Sequence, residues 1–207
     1  MYLSKYQIDI RTRAGRQFLS STNRQAVHQV VAGKFFGTPA SAHHVLFRIT
    51  GQELYVQSDI PPSSLPEGLT LVYTQDCEPV FTKLRAGDVI RFNLMAMPAK
   101  FVSQPRCADG KKPRGKRAFL ATPEERMEWL YAKGEKRGFT LLSCIEVRKT
   151  ACSFHRPEKK GGNFRLPFTE FAGQMKITDV DAFHKAVLEG IGPERAFGCG
   201  LLFIAPD

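Results

Sequence analysis

Near the start of the chain, hydrophobic and polar positions alternate with a period of two. Tyr6, Ile8 and Ile10 stand against Lys5, Gln7 and Asp9, which predicts a strand with one buried face. The period then changes to that of a helix. Val27, Val30 and Val31 form an apolar stripe ending near Gly33 or Gly37, and Thr22 and Gln25 have the spacing of a capping box at its start. Two strand-like runs follow, VLFRIT at 45–50 and ELYVQS at 53–58, separated by Gly51-Gln52, a hairpin signal. A Pro/Ser-rich bend at 61–66, with room for one helical turn, leads into the strand TLVYT at 70–74. The order predicted is β-α-β-β-(α)-β.

After a connector near 76–87 the same order returns. A strand is expected over Val89–Ala96, followed by a long basic loop that ends at Arg117. Thr122, Pro123 and Glu125 then supply an N-cap, an N1 proline and an N3 carboxylate for a helix whose stripe is Met127, Leu130 and Tyr131. Strands near 139–149 and 164–177, a helix at 179–189 ending at Gly190, and a strand Leu201–Ala205 complete the second unit. Each unit has the order of a ferredoxin-like split βαβ. The expected class is therefore α+β, with two tandem ferredoxin-like, RRM-like domains and antiparallel sheets, over residues 1–82 and 83–207.

A chain of 207 residues with 43% hydrophobic content can build such cores. Its net charge of +10, from 30 Lys plus Arg against 20 Asp plus Glu, favours a polyanionic partner. No apolar run approaches the roughly 20 residues of a membrane span, so a soluble, cytoplasmic protein without membrane contact is expected. The five cysteines contain no C-x-x-C pair, which indicates neither a zinc ribbon nor a disulfide framework, and Cys144 and Cys199 lie in apolar runs. No metal site and no cofactor are expected.

The charge is concentrated. Lys100, Arg106, Lys111, Lys112, Arg114, Lys116 and Arg117 face the single acid Asp109 in one Gly- and Pro-containing segment, which reads as a cationic arm or as a solvated loop. Arg148, Lys149, Arg156, Lys159, Lys160 and Arg165 span a hairpin with Gly161-Gly162 near its tip, suited to a nucleic-acid groove. His28 lies about 60° from Val31 at the border of the first helix's apolar stripe, where an imidazole can pack and still reach solvent. His43, His44, His155 and His184 have no Cys, Asp or Glu at ligand spacing. The stretch GIGPERAFGCGLLFIAP carries Gly190, Gly192, Gly198 and Gly200 around Arg195. That is more glycine than one helix end requires, so this loop is expected to offer backbone N–H groups to phosphate. Phe47, Tyr55 and Phe92 read as core rather than as a stacking platform for single strands.

These segments resemble the CRISPR-associated repeat endoribonucleases that process RNA in type I-E Cascade. The likeness runs from end to end. It rests on MYLSK at 1–5, Thr12-Arg13-Ala14 followed by Arg16, a histidine on the first helix, RFNLMAMPAK at 91–100, TPEERMEWL at 122–130 and the glycine-rich block at 190–206. The resemblance implies two ferredoxin-like domains and metal-independent cleavage at the 3′ base of a CRISPR repeat stem-loop. The 2′-hydroxyl attacks, leaving a 2′,3′-cyclic phosphate and a 5′-hydroxyl, and the mature crRNA stays bound with other Cascade subunits. By position the catalytic histidine is His28. Arg13 and Arg16 are then expected near the scissile phosphate, Lys34 as a partner of His28, and Lys100 with the hairpin cations as RNA contacts. Two positions depart from the family pattern. Gln25 stands where a tyrosine precedes the histidine by three residues, and Leu94-Met95-Ala96-Met97-Pro98 replaces L-R-A-N-P. A hairpin-RNA holder with weak or no catalysis is the alternative, and Gln25 is the residue that argues for it.

Overall fold

The computed structural model describes residues 1–19, 24–36, 44–103, 115–155 and 163–206. Strand β1 (Tyr2–Ile8) is followed by helices α1 (Arg13–Leu19) and α2 (Arg24–Gly33), the hairpin β2 (Val45–Thr50) and β3 (Glu53–Ser58), and β4 (Leu69–Asp76). The four strands form one antiparallel sheet in the order β2-β3-β1-β4. The hairpin closes at Gly51, whose φ of 59° a residue with a Cβ adopts at a cost. Tyr6, Ile8, Phe47, Leu54 and Val56 pack with Phe18, Val27, Val31 and Phe35 into the first core, so the valine stripe faces inward as its spacing predicts.

Three details of the first lobe differ from expectation. Strand β1 stops at Ile8, and Ile10 is exposed, because the chain turns there: Thr12 Oγ1 donates to Asp9 O and accepts from Gly15 N, capping α1. That helix was not anticipated. A Cβ at Gly15 would stand 1.9 Å from Asp9 O, so glycine is required for the close turn. The bend at 61–66 forms no helical turn; instead the Ser63 and Ser64 amides donate to Phe35 O. The capping role expected of Thr22 and the Gln25 side chain lies outside the described residues.

After the short α3 (Glu78–Phe81), the second lobe runs through β5 (Val89–Ala96), the hairpin β6 (Ala99–Val102) and β7 (Lys116–Phe119), α4 (Pro123–Glu135), β8 (Phe139–His155), β9 (Asn163–Ile177), α5 (Val180–Glu189) and β10 (Leu202–Pro206). Its sheet order is β10-β5-β9-β8. This is the same arrangement as in the first lobe, and the architecture is tandem ferredoxin-like, α+β. The expected capping box is formed, with Thr122 accepting from Glu125 N and the Glu125 carboxylate accepting from Thr122 N. Asp179 caps α5 through a single bond, its side chain accepting from Ala182 N. The helix stripe is different from the one read in sequence: Leu130 is buried but Tyr131 is exposed, and the inward positions are Arg126, Leu130 and Gly134. Arg126 is tolerated there because Nε and Nη2 bind the Glu146 carboxylate of β8, while Nη1 donates to the Leu120 and Ala121 carbonyls. Among the described residues no helix is long and apolar enough to cross a membrane.

The lobes meet through a buried polar cluster. Arg48 of β2, 2% exposed, donates from Nη2 to Glu170 of β9 at 2.6 Å and from Nη1 to Asn93 Oδ1 of β5. Asn93 Nδ2 and Arg148 Nε also donate to Glu170, at 3.0 and 2.6 Å. The Arg48 guanidinium lies 5.2 Å from the Phe203 ring centroid, and Tyr55 packs edge-on against the same ring. Gln57 Nε2 adds a buried bond to Val187 O. Burial pushes the Glu170 carboxyl up, but the Asn93 amide, Arg48 and Arg148 outweigh it, and its pKa lies below the ordinary 4.5.

Two stability predictions follow from this packing. Thr122→Ala removes one cap and should lower the unfolding free energy by about 1 kcal/mol in urea titrations. Glu170→Gln leaves two guanidinium groups without their carboxylate and should destabilise the protein by roughly 3–5 kcal/mol at pH 7. Because the folded carboxyl titrates below its unfolded value, its contribution is complete above 4.5 and is lost as pH falls through the folded value. The difference between wild type and Glu170→Gln should therefore shrink as the pH falls below 4.5. A difference independent of pH would show that the carboxylate charge is not what joins the lobes.

Candidate active site

Helix α2 carries His28 and lies against β8 and the 3-10 turn Arg195–Phe197, both from the second lobe. The first lobe thus presents its histidine helix to the glycine-rich loop and to strand β8. His28 is partly buried, and burial lowers its pKa below 6.5. The imidazole is neutral at pH 7 and can accept a proton.

The glycine-rich loop has a different role from the one its composition suggested. The amide of Gly190 donates to Ala186 O, that of Gly198 to Arg195 O and that of Gly200 to Met95 O. With their hydrogens directed at internal carbonyls, these three amides are not available to phosphate. Their positive φ angles shape the loop, and the missing side chains of Gly190 and Gly198 let the lobes close. A Cβ on Gly190 would approach Leu46 at 3.0 Å, and one on Gly198 would approach Phe47 at 3.1 Å. Gly192 likewise faces Trp129 of α4. Arg195 is exposed, with Nη1 donating to the carbonyl of Glu189. Glu194, in the left-handed region at φ 61°, pairs with Arg117 of β7.

The basic hairpin divides its charges between two faces. Arg148 lies opposite Glu170 and Lys149 opposite Thr169, so consecutive side chains point to opposite sides of the ribbon. Arg148 sits on the helix-free face, half exposed, with Nε on Glu170. Lys149 and Arg165 are exposed on the other face. Arg156, Lys159 and Lys160 lie outside the described residues, as do Arg106, Lys111, Lys112 and Arg114. The segment expected to be a long basic loop is a hairpin at its base, since β6 pairs with β7. Lys100 of β6 pairs with Glu125 of α4 at 3.4 Å, and Arg117 covers the exposed Phe101 ring.

On α1, Arg13 is exposed, and Arg16 is held by Nη1 bonds to the Ile10 and Arg11 carbonyls. Lys34 is exposed at the end of α2, in a groove of about 240 Å³ with Gln17, Pro66 and Glu67. Phe47 and Phe92 are buried and Tyr55 is packed on Phe203, so these three give no platform for bases. Among the described residues no group of three or more His, Cys, Asp or Glu could hold a metal ion. Arg48, Asn93 and Glu170 were not singled out in sequence, although a lone arginine within VLFRIT and a lone glutamate within FTEF are charges on otherwise buried strands.

The chain matches the family described as CRISPR associated protein over residues 1–206. It is 30% identical to the CRISPR-associated endoribonuclease Cse3 of Thermus thermophilus over 157 residues, covering 70% of this chain and 67% of that protein. It is 28% identical to the CRISPR system Cascade subunit CasE of Escherichia coli, with both chains covered in full. Among solved structures, Cse3 bound to a 19-nucleotide RNA aligns over all of both chains with a TM-score of 0.82 and 27% identity. The Cas6e crystal structure from Escherichia coli aligns with a TM-score of 0.69 and 25% identity. With a family match from the first residue to the last but one, and relatives that share the paired-lobe fold, this chain belongs to the CRISPR-associated protein family, in the company of Cse3 and CasE.

Proposed function

We propose that this protein is an endoribonuclease that binds the stem-loop of a CRISPR repeat transcript, cleaves at its 3′ base without a metal ion, and keeps the crRNA as a subunit of Cascade. The observation that supports this most is the full-length similarity to Cse3 in an RNA-bound structure. A neutral, partly buried His28 on a helix packed against cation-bearing elements fits the same chemistry.

The reaction asks little covalent work of the protein. The 2′-oxygen, phosphorus and 5′-oxygen must be brought into line, a proton must leave the 2′-hydroxyl, and positive charge must meet the developing phosphorane. Neutral His28 accepts the 2′-hydroxyl proton, the 2′-oxygen attacks phosphorus, and the 5′-oxygen leaves with a proton taken from water, giving a 2′,3′-cyclic phosphate and a 5′-hydroxyl. Arg148, Arg13 and Arg16 are the candidates for the phosphate. Lys100, Lys149, Arg165 and Arg195 are exposed cations for the RNA backbone, and Lys159 and Lys160 extend that set by sequence. Gln25, which is no proton donor, is the one residue favouring the holder reading, in which RNA is retained uncut.

In excess EDTA, wild type should cut the host repeat RNA at the stem base, and His28→Ala should lose about 10²–10⁴-fold in single-turnover rate with binding preserved. The wild-type rate should fall with decreasing pH through a value below 6.5, since a protonated imidazole cannot serve as base. A rate that climbs through that range would assign His28 to the leaving group instead. Tight binding with no cleavage in either protein would select the holder. Removing charge at Lys159 and Lys160 together should flatten the slope of log affinity against log salt by about one per lost phosphate contact. An unchanged slope would remove the hairpin tip from the RNA interface.

A further inference from the structure

One residue of the glycine-rich loop sits in a conformation that only glycine adopts freely. Glu194 stands at φ 61° and ψ 33°, the single non-glycine residue in the left-handed region among the described residues. Its neighbours Gly190, Gly192, Gly198 and Gly200 hold φ between 78° and 91° with no side chain to strain. Glu194 O accepts from the Phe197 amide and so opens the 3-10 turn. A glycine would offer the same carbonyl with less strain, so what glutamate adds at this position is its carboxylate. That group accepts from Arg117 Nη1 of β7.

We infer that Glu194 is a positioning residue for cleavage, which ties the turn supporting the His28 helix to the base of the β6–β7 hairpin. The inference rests on the endoribonuclease reading above. Its first support is that Arg117 is a fixed post. Arg117 lies directly opposite Phe101 in the ribbon, and its guanidinium stands 5.5 Å from the Phe101 ring centroid. Beside it the hairpin base is strapped to α4, by Lys100 on Glu125 and by Arg126 Nη1 on the Leu120 and Ala121 carbonyls. A carboxylate bound to such a post is held in place, whereas one bound to a mobile arm would not be.

The second support is where the turn lies. Arg195–Phe197 neighbours both α2 and β2, and Phe197 lines a cleft of about 200 Å³ between the lobes, with Arg148 at its mouth. A Cβ on Gly198, the next residue, would approach Phe47 at 3.1 Å, so the turn has no slack against the first lobe. A shift of the turn is therefore passed to α2, and His28 moves with its helix. In-line attack tolerates little of this, since a misplacement of about 1 Å costs on the order of 10²-fold in rate. The third support is the contrast between the two acids at the hairpin base. The Glu125 carboxylate also accepts the Ala121 and Thr122 amides and is needed for the cap of α4, but that of Glu194, among the described residues, hydrogen-bonds to Arg117 alone. A partly exposed ion pair adds little stability, so placement and not stability is what this one supplies.

The test measures single-turnover cleavage of the host repeat hairpin at saturating protein, beside the dissociation constant of the same hairpin made uncleavable by a 2′-deoxy sugar at the attacking position. Glu194→Gln should slow cleavage by about tenfold and leave the dissociation constant within about twofold of wild type. Glu194→Gly relieves the backbone and removes the same carboxylate. It should lose rate to the same extent while melting no lower than Glu194→Gln, and it serves if Glu194→Gln does not fold. Arg117→Gln should show an equal loss of rate at saturation, and the double variant should be no slower than either single one. Full activity in either Glu194 variant, a loss of rate that vanishes at saturating protein, or losses that multiply in the double variant would each overturn the positioning role and leave the endoribonuclease reading intact. Wild type that binds the hairpin without cutting it overturns both.

Discussion

The buried contact between Arg48 and Glu170 sets the relation of the two lobes, and the candidate site exists only in that relation. An ion pair taken out of water recovers its desolvation cost only with good geometry and further hydrogen bonds. Here Asn93 and Arg148 provide them. Such a pair adds little net stability compared with apolar packing, but it penalises every misaligned arrangement, because a shifted interface would leave charges buried and unmatched. The cluster is therefore better regarded as a register device than as glue. Glu170 also holds Arg148, so the residue that aligns the lobes aligns a cation at the mouth of the cleft as well.

The glycine-rich loop is the second device at this junction. Its amides close turns within the second lobe, and its missing side chains leave room for Leu46 and Phe47 of the first. A loop that seemed built to approach a ligand is built to approach the neighbouring lobe. The consequence for function is indirect: the 3-10 turn it contains supports α2, so substitutions at Gly190 or Gly198 would shift His28 relative to the hairpin cations without touching either.

The cations themselves are organised by acids outside the core. Glu194 holds Arg117, Glu125 holds Lys100 and Glu146 holds Arg126. Arg126 in turn binds the carbonyls at the foot of β7, linking the two basic hairpins through α4. The described bases of both hairpins thus hold their cations in defined positions.

Local sequence determined most of the elements. Period-two runs gave β2, β3, β5 and β9, and Thr122 with Glu125 and Asp179 fixed the starts of α4 and α5, because caps and alternation act within a few residues. The repeated order of elements then implied the paired folds. What escaped was whatever depends on distant partners. Helix α1 is made by a turn that Gly15 and Asp9 close together, Tyr131 is exposed while Arg126 turns inward to Glu146, and Arg148 and Lys149, adjacent in sequence, serve opposite faces. His28 was visible as a border residue, but its neutrality comes from burial, and its neighbours come from the other lobe. The sequence by itself determined most of the elements and the chemistry available. Tertiary structure alone decided which glycine amides were already occupied and which arginines were buried, because hydrogen-bond satisfaction and desolvation are properties of the packed chain and not of its order.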